Sequence, residues 1–345
     1  KPLLRMHAVT TLPQGLLDER MKLQLVQGVD AVHRLLLVVR PGAGEQAGVD
    51  RLHDVHHVPL HGAMILDVNR GNRARDNGPE FVYLVVNMSC GWLYDDWYLT
   101  HETGPFHPER PERLRAIFRA VRDAGLMTKM TALKPHRASR ELISLVHDPV
   151  HVRRVRAACL ARMPYIDSPD TPISPNSYTA ALLAAGGVET AVDAVMAGQV
   201  PNAFCAIRPP GHHAERDRAM GFCLFNNVAI GAEYVMQRYG LKRVAVVDFD
   251  VHHANGTQHV FEDRDDVLVI SLHQDPLTLF PGTGFERERG TGKGEGYTIN
   301  IEMEPGSGNT IYERAFQKTV LPALREYGPE FLFVSAGFDA ARKDP

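Results

Sequence analysis

Cysteine is scarce in this chain, with four among 345 residues (Cys90, Cys159, Cys205 and Cys223) and no C-x-x-C pair. That spacing excludes a disulfide scaffold and a thiolate metal knuckle, and it predicts reduced, buried thiols. A basic surplus is also missing. Lys and Arg total 38 against 41 Asp and Glu, a formal charge of −3, so direct nucleic-acid binding is not expected. No run approaches the roughly 18 apolar residues of a membrane span, and no membrane association is expected. Residues 1–20 lack the charged-then-apolar order of a secretory signal, so a cytoplasmic setting is the default expectation. Repeats and low-complexity segments are absent. A hydrophobic content of 44% and this length suit one large α/β domain with a small additional piece.

The most informative stretch present is Val246-Val247-Asp248-Phe249-Asp250-Val251-His252-His253. An apolar run beginning at Val244 reads as a buried strand ending in polar residues at period two. On a continuing strand Asp248, Asp250 and His252 would share one face. Carboxylates and an imidazole converging there suit a divalent cation, although a solvated strand end capped by Asp and His reads the same in isolation. Two other stretches have the same design. Ala203 to Ile207 is apolar and is stopped by Pro209 and Pro210 before Gly211-His212-His213. Phe331 to Ala336 is apolar and runs into Gly337-Phe338-Asp339. In an open parallel sheet ligands bind beyond the carboxyl ends of the strands, so these groups share an address.

These stretches, with His101-Glu102-Thr103-Gly104, His107 to Leu114, Gly221 to Asn227, Asp248 to Thr257, Ser271-Leu272-His273, Phe280 to Gly284 and Ser335 to Pro345, occur in the order found in histone deacetylases. From about residue 92 to 345 the chain resembles that superfamily, closest in wording to class II members and bacterial acetylpolyamine amidohydrolases. The resemblance implies an arginase/deacetylase fold, a three-layer α/β/α arrangement with a mainly parallel sheet. It implies Zn2+ held by Asp250, His252 and Asp339, with Fe2+ also compatible with such mixed ligands. His213 matches the family's general base and acid, and His212 its electrostatic partner. Asp248 falls where the family orients His212, and Asn255 where it orients His213. An uncharged Asn biases His213 toward the imidazolium less than a carboxylate would.

Phe222, following Gly221, and Phe280 match the aromatics that sandwich an acyl-lysine tether, while Asp170 matches a rim carboxylate that accepts substrate N–H groups. Read without the resemblance, each Phe is ordinary core and the loop around Asp170 is a helix N-cap region. The resemblance further implies structural K+ or Na+, at an inner site of Asp248, Asp250, His252, Ser271 and Leu272. The outer site would comprise Phe261, Arg264, Val267 and Tyr297. The implied activity is a zinc-dependent deacetylase acting on acylated lysine peptides or acylated small amines, with a homo-oligomer left open. Acetylpolyamine hydrolysis and non-catalytic acyl-lysine binding are the alternatives. The second arises because the family's Gly-Gly-Tyr segment, and its closing strand and helix, lie past the motif that here is Asp344-Pro345. That tyrosine assists the oxyanion.

Residues 1–90 match nothing recognised and are read as an unassigned N-terminal extension, poorly ordered in one reading, before a catalytic domain at 91–345. Strands are predicted at 35–39 and 81–86, and the His53, His56, His57 and His61 cluster is read as a solvated loop. Beyond it, helices are predicted at 111–124, 141–146, 150–161, 177–196, 224–239 and 309–327. Strands are predicted from 92 and at 203–207, 243–250, 267–273, 296–303 and 331–336.

Overall fold

The computed structural model describes residues 90–342 and Asp344, with three short strands further toward the N-terminus. Those are β1 (Leu35–Val39), β2 (Met64–Ile65) and β3 (Tyr83–Leu84). The histidine cluster at 53–61, and most of the proposed extension, lie outside the described residues. The remaining strands are β4 (Gly91–Leu93), β5 (Thr131–Leu133), β6 (Tyr165–Ile166), β7 (Ser168–Pro172), β8 (Asn202–Cys205), β9 (Val244–Asp248), β10 (Val267–Gln274), β11 (Thr298–Met303) and β12 (Phe331–Ala336). The helices are α1 (Pro111–Asp123), α2 (Arg140–Ile143), α3 (Pro149–Leu160), α4 (Ser177–Met196), α5 (Asn227–Tyr239), α6 (Asn255–Phe261), α7 (Asn309–Ala315) and α8 (Leu321–Tyr327).

Eight strands form one sheet in the order β11-β10-β9-β12-β1-β8-β4-β5. Every pairing is parallel except the two made by β1, which is antiparallel to both β12 and β8. The sheet thus takes in one strand from the segment left unassigned in the sequence. Period two places side chains on alternate faces, and β9 and β10 show it. Val244, Val246, Val267 and Val269 join the larger core with α1, α3, α4 and α5. Ala245, Val247, Leu268, Ile270 and Leu272 face the smaller core with Tyr312 and Val320. Both faces are covered, which gives the three layers that the sequence predicts.

Helix α4 is the central buttress. A Cβ on Gly186 would collide with the His136 backbone, and one on Gly187 with Leu93 and Tyr98, so this pair permits the close approach that its sequence suggests. By length and composition alone α4 is apolar enough to cross a membrane. The sequence reading missed this because Glu189 and Asp193 interrupt the run. Some 67% of that stretch is buried inside the fold, and core packing accounts for its apolarity. Several elements differ from expectation: β8 and β9 each end two residues early, α5 starts at Asn227 rather than 224, and three others differ more. Helix α2 stops at Ile143, three residues early. The helix expected over 309–327 is divided by a π-helical turn at Phe316–Val320, next to Pro322, which has no N–H to continue the ladder. The loop around Asp170 is a strand, β7, paired only with β6, an edge setting in which Pro169 and Pro172 are tolerated.

Two histidines are built into this framework as neutral rings. His147 Nδ1 donates to the Glu215 carbonyl (2.8 Å), while Nε2 accepts from the Asn226 N–H (2.8 Å). Burial first, and His151 second, push His147 down to about 3. Burial, then Arg208, does the same to His101, also to about 3. Below the unfolded value of about 6.5 the unfolded chain therefore binds more protons, and these two sites lose stability as pH falls from there toward 3. Unfolding free energies from urea denaturation between pH 7.5 and 4.5 should fall by up to about 1.4 kcal/mol per pH unit for each ring, and His147→Gln should flatten the slope. A flat profile in the parent protein would refute this assignment.

Candidate active site

The chain leaves β9 at Asp248, two residues before the expected end, so Asp250 and His252 do not stand on a continuing strand face. Carboxylates fold the segment instead. The Asp250 N–H donates to Asp248 Oδ1 (3.0 Å) and the His252 N–H to Asp250 Oδ1 (2.9 Å). From the end of β12, Asp339 reaches across, and its Oδ1 accepts from the Val251 N–H (2.9 Å). The result brings one donor atom each from Asp250, His252 and Asp339 within 4.8 Å of one another. His252 Nδ1 lies 3.0 Å from both Asp250 Oδ1 and Asp339 Oδ2.

This donor set fits a divalent cation. Four-coordinate zinc with bonds of about 2.0–2.2 Å separates its ligand atoms by roughly 3.3 Å, close to the spacing found. Burial opposes charge on His252, but its hydrogen bonds to the two carboxylates outweigh that and lift it to about 9. Burial first, and the Asp250 charge second, raise Asp339. Two carboxylates enclosed together need positive charge between them.

The tandem histidines sit beside this triad, on the loop after β8. His212 Nδ1 donates to Asp248 Oδ2 (2.9 Å), and the buried His212 Nε2 has no hydrogen-bond partner among the described residues. His213 Nδ1 donates to Asn255 Oδ1 (2.6 Å) at the start of α6. The rings of His212 and His213 lie 4.0 Å apart, and that of His213 lies 5.9 Å from His252. The loop is tethered by Arg208, whose guanidinium makes a buried bidentate pair with Glu109 and donates to the Tyr98 carbonyl (2.9 Å). Burial alone would raise Glu109, yet the Arg208 charge overrides it and holds the carboxyl below its usual range.

Two aromatic residues border the pocket. The Phe280 ring is 5.1 Å from His213 and 6.3 Å from His252, and it is partly open to solvent. Phe222 packs edge-on to His107 at 4.6 Å. Its φ of 69° is a strained conformation for a non-glycine residue. Gly221 before it is also left-handed, and a Cβ there would strike the His213 ring. Thr171 of β7 accepts from the Phe222 N–H (3.4 Å) and donates to Asp170 Oδ1 (3.0 Å). Asp170 is thereby set next to Phe222, on the hairpin.

Of the residues read as an inner monovalent site, Ser271 is the register partner of Asp248 across β9 and β10. Ser271 and Leu272 are buried there, with Asp250 and His252 following Asp248. The outer set is spread over the end of α6 (Phe261), the turn after it (Arg264), the start of β10 (Val267) and the residue before β11 (Tyr297). The Phe261 and Tyr297 carbonyls accept from the N–H groups of Arg264 and Val269. Three supporting residues escaped the sequence reading: Glu109, Thr171 and Glu215. Glu109 and Glu215 stand in or beside the motifs that were read, but their partners are distant in sequence. No disulfide links the four cysteines among the described residues; Cys159, Cys205 and Cys223 are buried, and Cys90 is half-buried.

Comparison with known proteins agrees with this geometry. The histone deacetylase domain family matches residues 107–345. A protein of Archaeoglobus fulgidus named as a probable deacetylase is 41% identical over 75% of this chain and 71% of its own length. The histone deacetylase-like amidohydrolase of Pseudomonas aeruginosa is 39% identical over 75% of this chain and 72% of its own. Among solved structures, the HD domain of HDA15 superposes with a TM-score of 0.71 at 40% identity, covering 75% of this chain and 74% of that one. With both the domain and relatives of such coverage in agreement, this chain belongs to the histone deacetylase family.

Proposed function

We propose that the protein is a zinc-dependent deacetylase that hydrolyses the amide of N-acetyl-lysine or a related N-acyl amine. The observation that carries this is the meeting, in one pocket, of a carboxylate–imidazole–carboxylate triad and two histidines with separate orienting partners. Zinc held by Asp250, His252 and Asp339 would polarise the acyl carbonyl and make water a competent nucleophile near neutral pH. His213, whose Nδ1–H is committed to Asn255, uses Nε2 to take the proton from water and then deliver it to the departing amine. His212, anchored by Asp248, has its Nε2 3.9 Å from Asp250 Oδ1, beside the same reaction space. Phe222 and Phe280 line a narrow apolar slot for a linear alkyl tether. Asp170 at the rim accepts N–H groups of a peptide substrate, which favours acyl-lysine over an acylated small amine. K+ or Na+ would occupy the site beside Ser271. Buried thiols without a disulfide accord with a cytoplasmic setting.

The test is metal removal and return on this protein. Dialysis against a chelator should abolish hydrolysis of an acetyl-lysine peptide, and about one Zn2+ per chain should restore it. Asp339→Ala should bind no stoichiometric zinc. Full turnover by metal-free protein would sink the metal assignment. Silence of the zinc-loaded protein toward acetyl-lysine, with turnover of an acetylated polyamine, would move the substrate to the small amine.

A further inference from the structure

Asn255 poses a problem that a carboxylate in its place would not. A carboxylate facing His213 Nδ1 can only accept a hydrogen bond, whereas an amide can present either its carbonyl or its NH2. Were the NH2 turned inward, Nδ1 would have to accept, and the ring proton would move to Nε2. A neutral ring with Nε2–H cannot take a proton from water at that atom.

Behind Asn255 stands Glu215, two residues after His213. Asn255 Nδ2 donates to Glu215 Oε1 at 2.5 Å, while Asn255 Oδ1 receives the His213 Nδ1–H at 2.6 Å. Nδ2 also lies 3.3 Å from the His213 carbonyl and 3.6 Å from Met220 Sδ. Every group on that side of the amide accepts, so turning it over would set Oδ1 against a carboxylate with no hydrogen between them. Glu215 is itself held. His259 Nδ1 donates to both carboxylate oxygens at 2.9 Å, the Glu215 N–H donates to the Arg218 carbonyl (2.9 Å), and its own carbonyl receives the His147 Nδ1–H. The Glu215 side chain is 13% exposed, against 44% for His259. The bonds thus run from the reacting ring to a half-open surface histidine.

We infer that Glu215 is a positioning residue that fixes the proton-transfer polarity of His213 by pinning the Asn255 amide. The inference rests on the reading of His213 as the acid and base. It goes further in placing at Glu215, one residue removed, the control that a carboxylate at position 255 would exert directly. Glu215 touches neither the substrate nor the triad.

The experiment is a two-background comparison on an acetyl-lysine peptide, using the zinc-loaded protein, with melting temperatures recorded for each variant. Glu215→Ala should lower kcat by about tenfold or more, through population of the wrong tautomer, with KM changed less than about twofold. Glu215→Gln retains an acceptor oxygen and should stay within about threefold of the parent. In an Asn255→Asp background the sign should reverse. The introduced carboxylate cannot present the wrong polarity and would repel Glu215, so adding Glu215→Ala should leave kcat unchanged or raise it. Long-range 1H–15N spectra of histidine-labelled protein supply a readout independent of turnover. His213 should be a single Nδ1–H tautomer in the parent and a mixture in Glu215→Ala. An equal loss from Glu215→Ala in both backgrounds, no loss in either, or an unchanged tautomer would overturn the inference. His213→Ala serves as the control, since normal turnover there would refute the base assignment and leave the hydrogen-bond polarity to be judged by the spectra.

Discussion

Replacing His213 with alanine is expected to lower kcat on an acetyl-lysine peptide by about 100- to 10,000-fold. KM should change little if, as proposed, the ring acts on protons in the transition state and the apolar slot supplies ground-state binding. His213 is buried, fixed at Nδ1 by Asn255 and flanked by Phe280. Its neighbour His212 is likewise buried, and its Nδ1 is committed to Asp248. The triad is untouched by the change, so zinc content should remain at the parental level. Turnover within about threefold of the parent would place the general base elsewhere.

Glu109→Ala is expected to destabilise the fold by about 3–5 kcal/mol, the cost of leaving a buried guanidinium without its counter-charge. Glu109 and Arg208 side chains are each 4% exposed, and beyond Glu109 the head group has the Tyr98 carbonyl for support. Arg208 immediately precedes Pro209-Pro210-Gly211-His212-His213, so the loss should centre on the catalytic loop. The double variant Glu109→Gln with Arg208→Met, which removes both charges, should cost less than Glu109→Ala alone. Urea denaturation checks both variants. A loss below about 1 kcal/mol for Glu109→Ala would show that this pair contributes no more than a surface bridge.

What the sequence revealed of this architecture was what short-range pattern carries. The ends of α4 and β12 match prediction because an Ala-rich run and a six-residue stretch apolar but for Ser335 leave little ambiguity. The resemblance, not the periodicity, named Asp250, His252 and Asp339, which the fold does bring together. Period two predicted a shared strand face, whereas Asp248 and Asp250 cap the following N–H groups and turn the chain off the strand. The β6–β7 hairpin stayed hidden because its prolines argue against a strand unless the partner lies on one side only. Glu109 with Arg208 and Glu215 with Asn255 were invisible for another reason. Each pair is separated by tens of residues, 99 and 40 respectively, and no local periodicity reports which polar groups meet across a fold.

Helix α4 also bears on how the chain reaches its folded state. A 20-residue apolar helix that packs among β4, β8 and α5 has nowhere to hide until those elements arrive. The elements that cover it lie on both sides of it in sequence, so an emerging chain exposes α4 before β8 and α5 have been made. Refolding yield should therefore fall with rising protein concentration. The same segment that steadies the mature enzyme is its main hazard on the way there.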